Sequence, residues 1–229
     1  QRTRYGCPGR GSGGGEVDAM LPATIPIFPL PNVVLFPGVF LPLHIFEPRY
    51  KEMLQEAIKT DRIIGMVLLK PGFEADYEGR PPIYPVGCAG LVSRVDEVER
   101  GRYNIVLHGF EKFRVLREEP DGAFRRAEVT TLPEALDAEA KERLKDERVK
   151  LEALLLPTKS GSDATFPSSL PDEDLVNALS QYLNLLPVER QALLERDNAL
   201  DRCRGLIELV EMQSMATRMH GARGGGGTH

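Results

Sequence analysis

Apolar and polar residues follow two different rhythms along this chain. From residue 21 to about 131 the pattern predicts mainly β structure. Arg62–Lys70 (RIIGMVLLK) carries an uninterrupted apolar run rich in Ile, Val and Leu, as expected of a strand covered on both faces. Gly87–Val98 and Arg102–Phe110 flank Arg100-Gly101 and read as a hairpin. Phe113–Arg117 and Phe124–Thr130 add two short strands around the turn Pro120-Asp121-Gly122. Upstream, Pro26, Pro29, Pro31, Pro37 and Pro42 break the apolar stretch Ile25–Phe46. Each proline removes a ladder donor, so that stretch reads as short, irregular or edge strands.

A helical period interrupts the β pattern once and then replaces it. Pro48 suits a first helical position, and Tyr50, Met53, Leu54, Ala57 and Ile58 form one apolar stripe. Lys51, Glu52, Gln55, Glu56 and Lys59 take the wet side. After residue 131, Pro133–Leu156 reads as a helix with Ala140, Leu144, Leu151 and Leu155 on one face, ended by Pro157. Ser169 and Asp172 resemble a capping pair for a second helix with the stripe Leu175, Val176, Leu179, Leu183 and Leu186. Pro187 opens a third, containing Leu193 and Leu194. Asp197 caps a fourth, with Leu200, Cys203, Ile207 and Val210 inward. The division expected is a Gly/Arg-rich flexible tail over 1–20, a β domain over 21–131, a helical bundle over 132–218 and a Gly-rich tail over 219–229. The fold class is α+β.

Composition narrows the function more by exclusion than by assertion. With 229 residues the chain can bury roughly 70% of its unfolded surface, enough for a core without metal or disulfides. A net charge of −5 argues against a dedicated nucleic-acid binder. Arg114, Arg117, Arg125 and Arg126 could form a local basic patch, but Glu111, Glu118, Glu119, Asp121 and Glu128 offset it. No run of 18 apolar residues predicts a membrane span. The N-terminal region has glycines where a signal peptide has its apolar segment. Cys7, Cys88 and Cys203 are odd in number and widely spaced, which suits a reducing, cytoplasmic compartment.

Catalytic signatures are sparse. A single G-x-G-x-x-G at Gly9, Gly11 and Gly14 has neither a strand before it nor a helix after it, so it reads as chance spacing in a glycine tract. His44, His108, His220 and His229 are scattered and form no metal-ligand spacing. Lys141–Lys150 (KERLKDERVK) reads as a solvated helix face. Glu47 and Arg49, flanking Pro48 and followed by Tyr50, read as a structural helix start. No catalytic residue, metal site or cofactor is expected.

Three ordered segments carry a family resemblance. They are IPIFPLPNVVLFPGVFLPLHIFEPR (Ile25–Arg49), YPVGCAGLVSRV (Tyr84–Val95) and RYNIVLHGFEKFRV (Arg102–Val115), and RQALLERDNALDRCRGLIELV (Arg190–Val210) fits the same pattern. Together they resemble the Lon protease N-terminal domain, the LON substrate-binding domain. The match is nearest to short bacterial proteins made of this domain, and the LON domain of cereblon is related. The resemblance implies a PUA-like β pseudobarrel with one inserted helix, followed by a helical bundle. It also implies a peptidase S16-type relationship without the ATPase and Ser-Lys protease modules, and hence a non-enzymatic binding role. The partners implied are unfolded or degron-bearing polypeptides, with a protease or other protein partner and self-association as further expectations. Candidate groove residues are aromatics in loop-like segments: Phe36, Phe40, Phe73, Tyr77 and Phe166. Phe36 and Phe40 read more readily as core lids and Phe73 can also pin its loop, which leaves Tyr77 and Phe166 as the better surface candidates. Alternatives kept open are an RNA-binding PUA-like module and a small-ligand-binding protein.

Overall fold

The computed structural model describes residues 20–73, 79–99, 101–120, 122–155 and 169–223, with side chains described as far as residue 216. Tyr77 and Phe166, and residues 1–19 and 224–229 of the two expected tails, lie outside the described residues. Six strands come first: β1 (Thr24–Leu30), β2 (Phe40–Ile45), β3 (Ile63–Leu68), β4 (Val86–Val98), β5 (Arg102–Glu118) and β6 (Arg126–Thr131). Helix α1 (Pro48–Lys59) lies between β2 and β3, and α2 (Ala138–Leu155), α3 (Asp172–Tyr182), α4 (Pro187–Leu194) and α5 (Ala199–Arg223) follow.

Five strands close on themselves. β1 pairs with β3 in parallel, β3 with β4, β4 with β5, β5 with β6 and β6 with β1, all but the first antiparallel. Among the described residues β2 hangs from this ring, paired with β5 alone. The ring is the pseudobarrel. Alternating side chains fill it: Ile25, Ile27, Ile63, Val67, Ala89, Ala127 and Val129 surround the fully buried Phe113. Gly65 and Gly87 make room, since a Cβ on either would lie 2.8 or 2.7 Å from that ring.

The opposite parity faces the helices. Phe28, Met66, Cys88 and Leu107 belong to one continuous cluster with Met53 and Leu54 of α1, Leu144 of α2, Val176 of α3 and Leu206 of α5. Barrel and bundle therefore share a core, which a helical stripe and a sheet face each need to bury. A buried polar strap joins them as well. Arg202 donates to Leu193 O (3.1 Å), Asn177 Oδ1 (2.5 Å) and the Glu134 carboxylate, which also receives Lys112 Nζ at 2.6 Å.

Several local expectations are corrected. β1 is an interior strand despite Pro26 and Pro29. Ile27 N–H donates to Arg125 O and Leu30 O accepts from Leu69, so by alternation Pro29 turns its missing donor away from β3. The expected strands 102–110 and 113–117 are one 17-residue strand that bends through irregular pairing instead of a break. α2 starts at Ala138, where Asp137 Oδ1 caps Ala140 N at 2.7 Å, five residues after the expected Pro133. Ser169 does not cap α3: Pro171 is the N-cap residue, and Asp172 pairs with Arg148. The cap of α5 is Asn198, whose Oδ1 accepts Asp201 N at 3.0 Å, not Asp197. α5 continues to Arg223, into the expected tail, because no proline or glycine run stops it before Gly224.

Arg148 departs from the solvated face expected of Lys141–Lys150. It is buried and ties α2 to α3 through Asp172 Oδ1 and Leu170 O, both at 2.7 Å. Among the described residues no helix is long and apolar enough to cross a membrane.

Candidate functional site

Leu183 closes α3 as its C-cap residue and still packs against the core, but Leu186 does not continue the stripe. A residue before proline is pushed out of the α region, and Leu186, preceding Pro187, sits at φ −66°, ψ 150°. α3 has already ended at Tyr182, with Leu183 extended at ψ 153°, and Leu186 turns to solvent with 62% of its surface exposed. The expectation that Leu186 faces inward is thereby overturned.

This segment makes one wall of an open groove of about 590 Å³. Leu186, Pro187 and Val188 stand on one side, and Leu43, His44 and Phe46 from the end of β2 are also part of the lining. Phe28, Tyr50 and Leu68 contribute apolar surface from the barrel and α1, while the chain after β1 and β3 adds Pro31, Pro71 and Phe73. Phe46, Phe73 and Val188 are 57%, 44% and 42% exposed. Together with Leu186 they leave a cluster of large apolar side chains in water, the kind of surface that marks a binding site.

The helix-start residues set the geometry of the groove. Pro48 is at the first helical position, and Glu47 O accepts from Tyr50 N (3.1 Å) and Lys51 N (3.0 Å). Glu47 Oε2 takes Arg49 Nε at 2.9 Å, and the guanidinium lies 4.6 Å over the Tyr50 ring. Tyr50 in turn packs on Phe28 with ring centroids 4.2 Å apart. This bracing turns Glu47 and Tyr50 toward the groove while Phe46 is left at its mouth.

The nominated aromatics separate. Phe73 lines the groove. Phe36 does not: it is sealed in the main core, as the core-lid reading has it, which removes it from the groove candidates, because Gly109 lets its loop lie directly on β5. Phe40 is exposed and stacks on His108 at 4.3 Å, outside the groove lining. Phe46 and Val188 were not singled out from the sequence, and Leu186 was expected in the core and not in the groove. The Leu-Pro dipeptide at 186–187 was the signal that could have found the wall.

Polar chemistry is modest. His44 Nδ1 is 2.7 Å from Asn104 Oδ1. Of the arginines of the possible basic patch, Arg125 makes two 2.7 Å contacts to Glu118, Arg126 pairs with Glu56 and Arg117 with Glu128 at 3.2 Å. A phosphate would have to displace these carboxylates. Among the described residues no group of three His, Cys, Asp or Glu could hold a metal.

Burial pushes the Cys203 thiol up to about 12, with Glu147 adding to it. Cys88 is driven well above the usual thiol range, first by burial and then by Glu134. Thiolate is the reactive form. Alkylation of both thiols at pH 8 is expected to be at least ~100-fold slower in the native protein than in denaturant. Equal labelling, read by intact mass, would contradict their burial.

The comparisons with known proteins agree. The model of the ATP-dependent protease La (LON) substrate-binding domain matches residues 24–212. The Lon protease of Cytophaga hutchinsonii is 25% identical over 83% of this chain and 24% of its own length. Lon protease 2 of Syntrophobacter fumaroxidans is 29% identical over 76% of the chain and 22% of its own length. The chain thus spans about a quarter of the curated relatives it matches. Among solved structures, a Lon N-terminal domain protein from Xanthomonas campestris superposes with a TM-score of 0.58 at 25% identity, covering 81% of this chain and 97% of that one. The N-terminal domain of a Mycobacterium avium complex Lon protease gives 0.63 at 19% identity, covering 82% and 98%, and supports the fold. With its closed ring, single inserted helix and C-terminal bundle, the chain belongs to the LON substrate-binding domain family.

Proposed function

We propose that this chain is a non-catalytic polypeptide-recognition module whose groove receives unfolded or degron-bearing segments. One observation carries the reading: the groove is open and lined mainly by apolar side chains, and four of its largest stand in water. Such a surface gains by covering apolar side chains that a folded protein hides and an unfolded one displays. Recognition is expected to be weak, in the micromolar range, because a floppy segment loses conformational freedom when it docks. Delivery of bound segments to a protease partner, in the cytoplasm, is the adaptor role we propose with it.

Fluorescence anisotropy with labelled, reduced and carboxymethylated α-lactalbumin tests the proposal. Val188→Asp places a carboxylate in the wall at a half-exposed position, where folding tolerates it. Binding is expected to weaken at least ~10-fold, since the charge must be desolvated by the docked segment. No binding of the unmodified chain at high micromolar concentration would overturn the proposal.

A further inference from the structure

The free edge of β2 runs to the groove, and its main-chain groups follow from the register. Val106 O accepts from Ser93 Oγ of β4 at 2.9 Å, so the even residues of β5 face β4. Gly109 N donates to Val39 O and Gly38 N to Gly109 O, so the odd residues face the β2 side. Leu41, Leu43 and Ile45 lie opposite Leu107, Ile105 and Tyr103, and therefore exchange hydrogen bonds with β5. Phe40, Pro42 and His44 point their main-chain groups outward.

Phe40 O confirms the parity by accepting the Tyr182 hydroxyl at 2.7 Å. Among the described residues the outward groups left on this edge are Phe40 N–H, Pro42 O, His44 N–H and His44 O, and because the Tyr182 side chain already covers Phe40, the last three are open to a strand. Pro42 and His44 are both exposed, and His44 lines the groove.

We infer that an extended polypeptide adds to β2 as an antiparallel strand, exchanging two hydrogen bonds with His44 and donating one to Pro42 O, while alternate side chains drop into the groove. This rests on the polypeptide-recognition reading above and names its mode. The occupant follows from the pattern of donors and acceptors. An apolar small molecule could fill the groove but would leave those three groups unused, whereas any strand without a proline at these sites satisfies them all. A second copy of this chain fits worse. In the register centred on Leu43, Pro42 lies opposite His44 of the other copy and the missing proline N–H leaves each His44 O without a donor, and in the register centred on His44 only Phe46, beyond the end of β2, could reach Pro42 O. The same proline weakens the edge as a template for self-association.

The experiment is amide hydrogen exchange by NMR on the 15N-labelled chain, with and without saturating reduced, carboxymethylated α-lactalbumin. His44 N–H is expected to exchange at least ~10-fold more slowly in the complex, while Leu43 and Ile45, already bonded to β5, change little. A paired variant supplies the affinity readout. His44→Pro deletes the outward donor without costing β2 a bond to β5, whereas His44→Ala keeps it. The proline variant is expected to bind at least ~10-fold more weakly than the alanine variant. If the polypeptide binds but His44 exchange is unchanged, or the two variants bind alike, the strand mode is overturned and the groove reading survives. If nothing binds, both are overturned.

Discussion

Replacing Arg202 by Ala is expected to lower the stability of the chain by about 3–5 kcal/mol, the cost of breaking a fully buried charge network from one side. The guanidinium is 0% exposed. It lies 5.5 Å over the Phe36 ring and donates to Asn177 of α3, the carbonyl of Leu193 in α4 and Glu134 in the connection to α2. One side chain of α5 thus holds three neighbouring segments. Removal leaves a cavity beside Phe36 and takes from the Asn177 amide oxygen its buried donor, while the Leu193 carbonyl is left with the longer bond from Arg196 N–H at 3.3 Å. Glu134 keeps Lys112 as a partner, so loss of the carboxylate's charge balance is partial.

Urea unfolding should show the midpoint falling with little change in slope. A loss below about 1 kcal/mol, typical of an exposed pair, would mean the network is solvated and does not strap the bundle to the barrel. In a double-mutant cycle, Arg202 and Glu134 should couple, because both changes act on the same contacts.

The second large effect is expected at Gly109. A Cβ there would lie 2.2 Å from Phe36 O and 3.0 Å from Phe36 C. These are backbone atoms, which cannot rotate aside as a side-chain tip can. Gly38 N and Val39 O are bonded to Gly109 as well, at 2.8 and 2.9 Å. Gly109→Ala must therefore push the loop before β2 off the barrel, at a cost of about 3 kcal/mol from overpacking.

The loop sets where β2 begins, and β2 carries one wall of the groove and the outward edge. Affinity for unfolded polypeptide should fall together with stability. Near wild-type behaviour in both measurements would show that the loop is compliant and that the groove does not depend on its placement. Gly101→Ala is a useful contrast: nothing lies within 4 Å of its Cβ, and its cost comes only from the positive φ of 63°.

Much of the fold was legible in hydrophobic period alone. The all-apolar run in 62–70 became β3, buried at every position, because a strand with neighbours on both faces has no wet side to encode. The stripe of α1 was legible for the complementary reason: one face is covered and the other is not. Where period and proline disagreed, the tertiary structure decided. Pro26 and Pro29 argued for an edge, yet β1 is interior, because a missing donor matters only on the side where a neighbour needs it.

The site was less legible. Phe73 was found as an aromatic ring in a polar loop, and it does line the groove. Phe36, which reads in sequence as either a core lid or a groove ring, is sealed, and that choice depends on Gly109, more than seventy residues away in the chain. Leu186 looked like core by its spacing, and the end of α3 at Tyr182 together with the extended chain before Pro187 exposes it.

By itself the sequence determined the class of architecture, the one inserted helix, the run of helices that follows and the family, all properties written in local spacing and ordered motifs. The groove, the outward edge of β2 and the Arg202 strap were decided only when distant segments met. Each is a relation between chain regions far apart in sequence, and local periodicity holds no information about which surface a neighbour leaves uncovered.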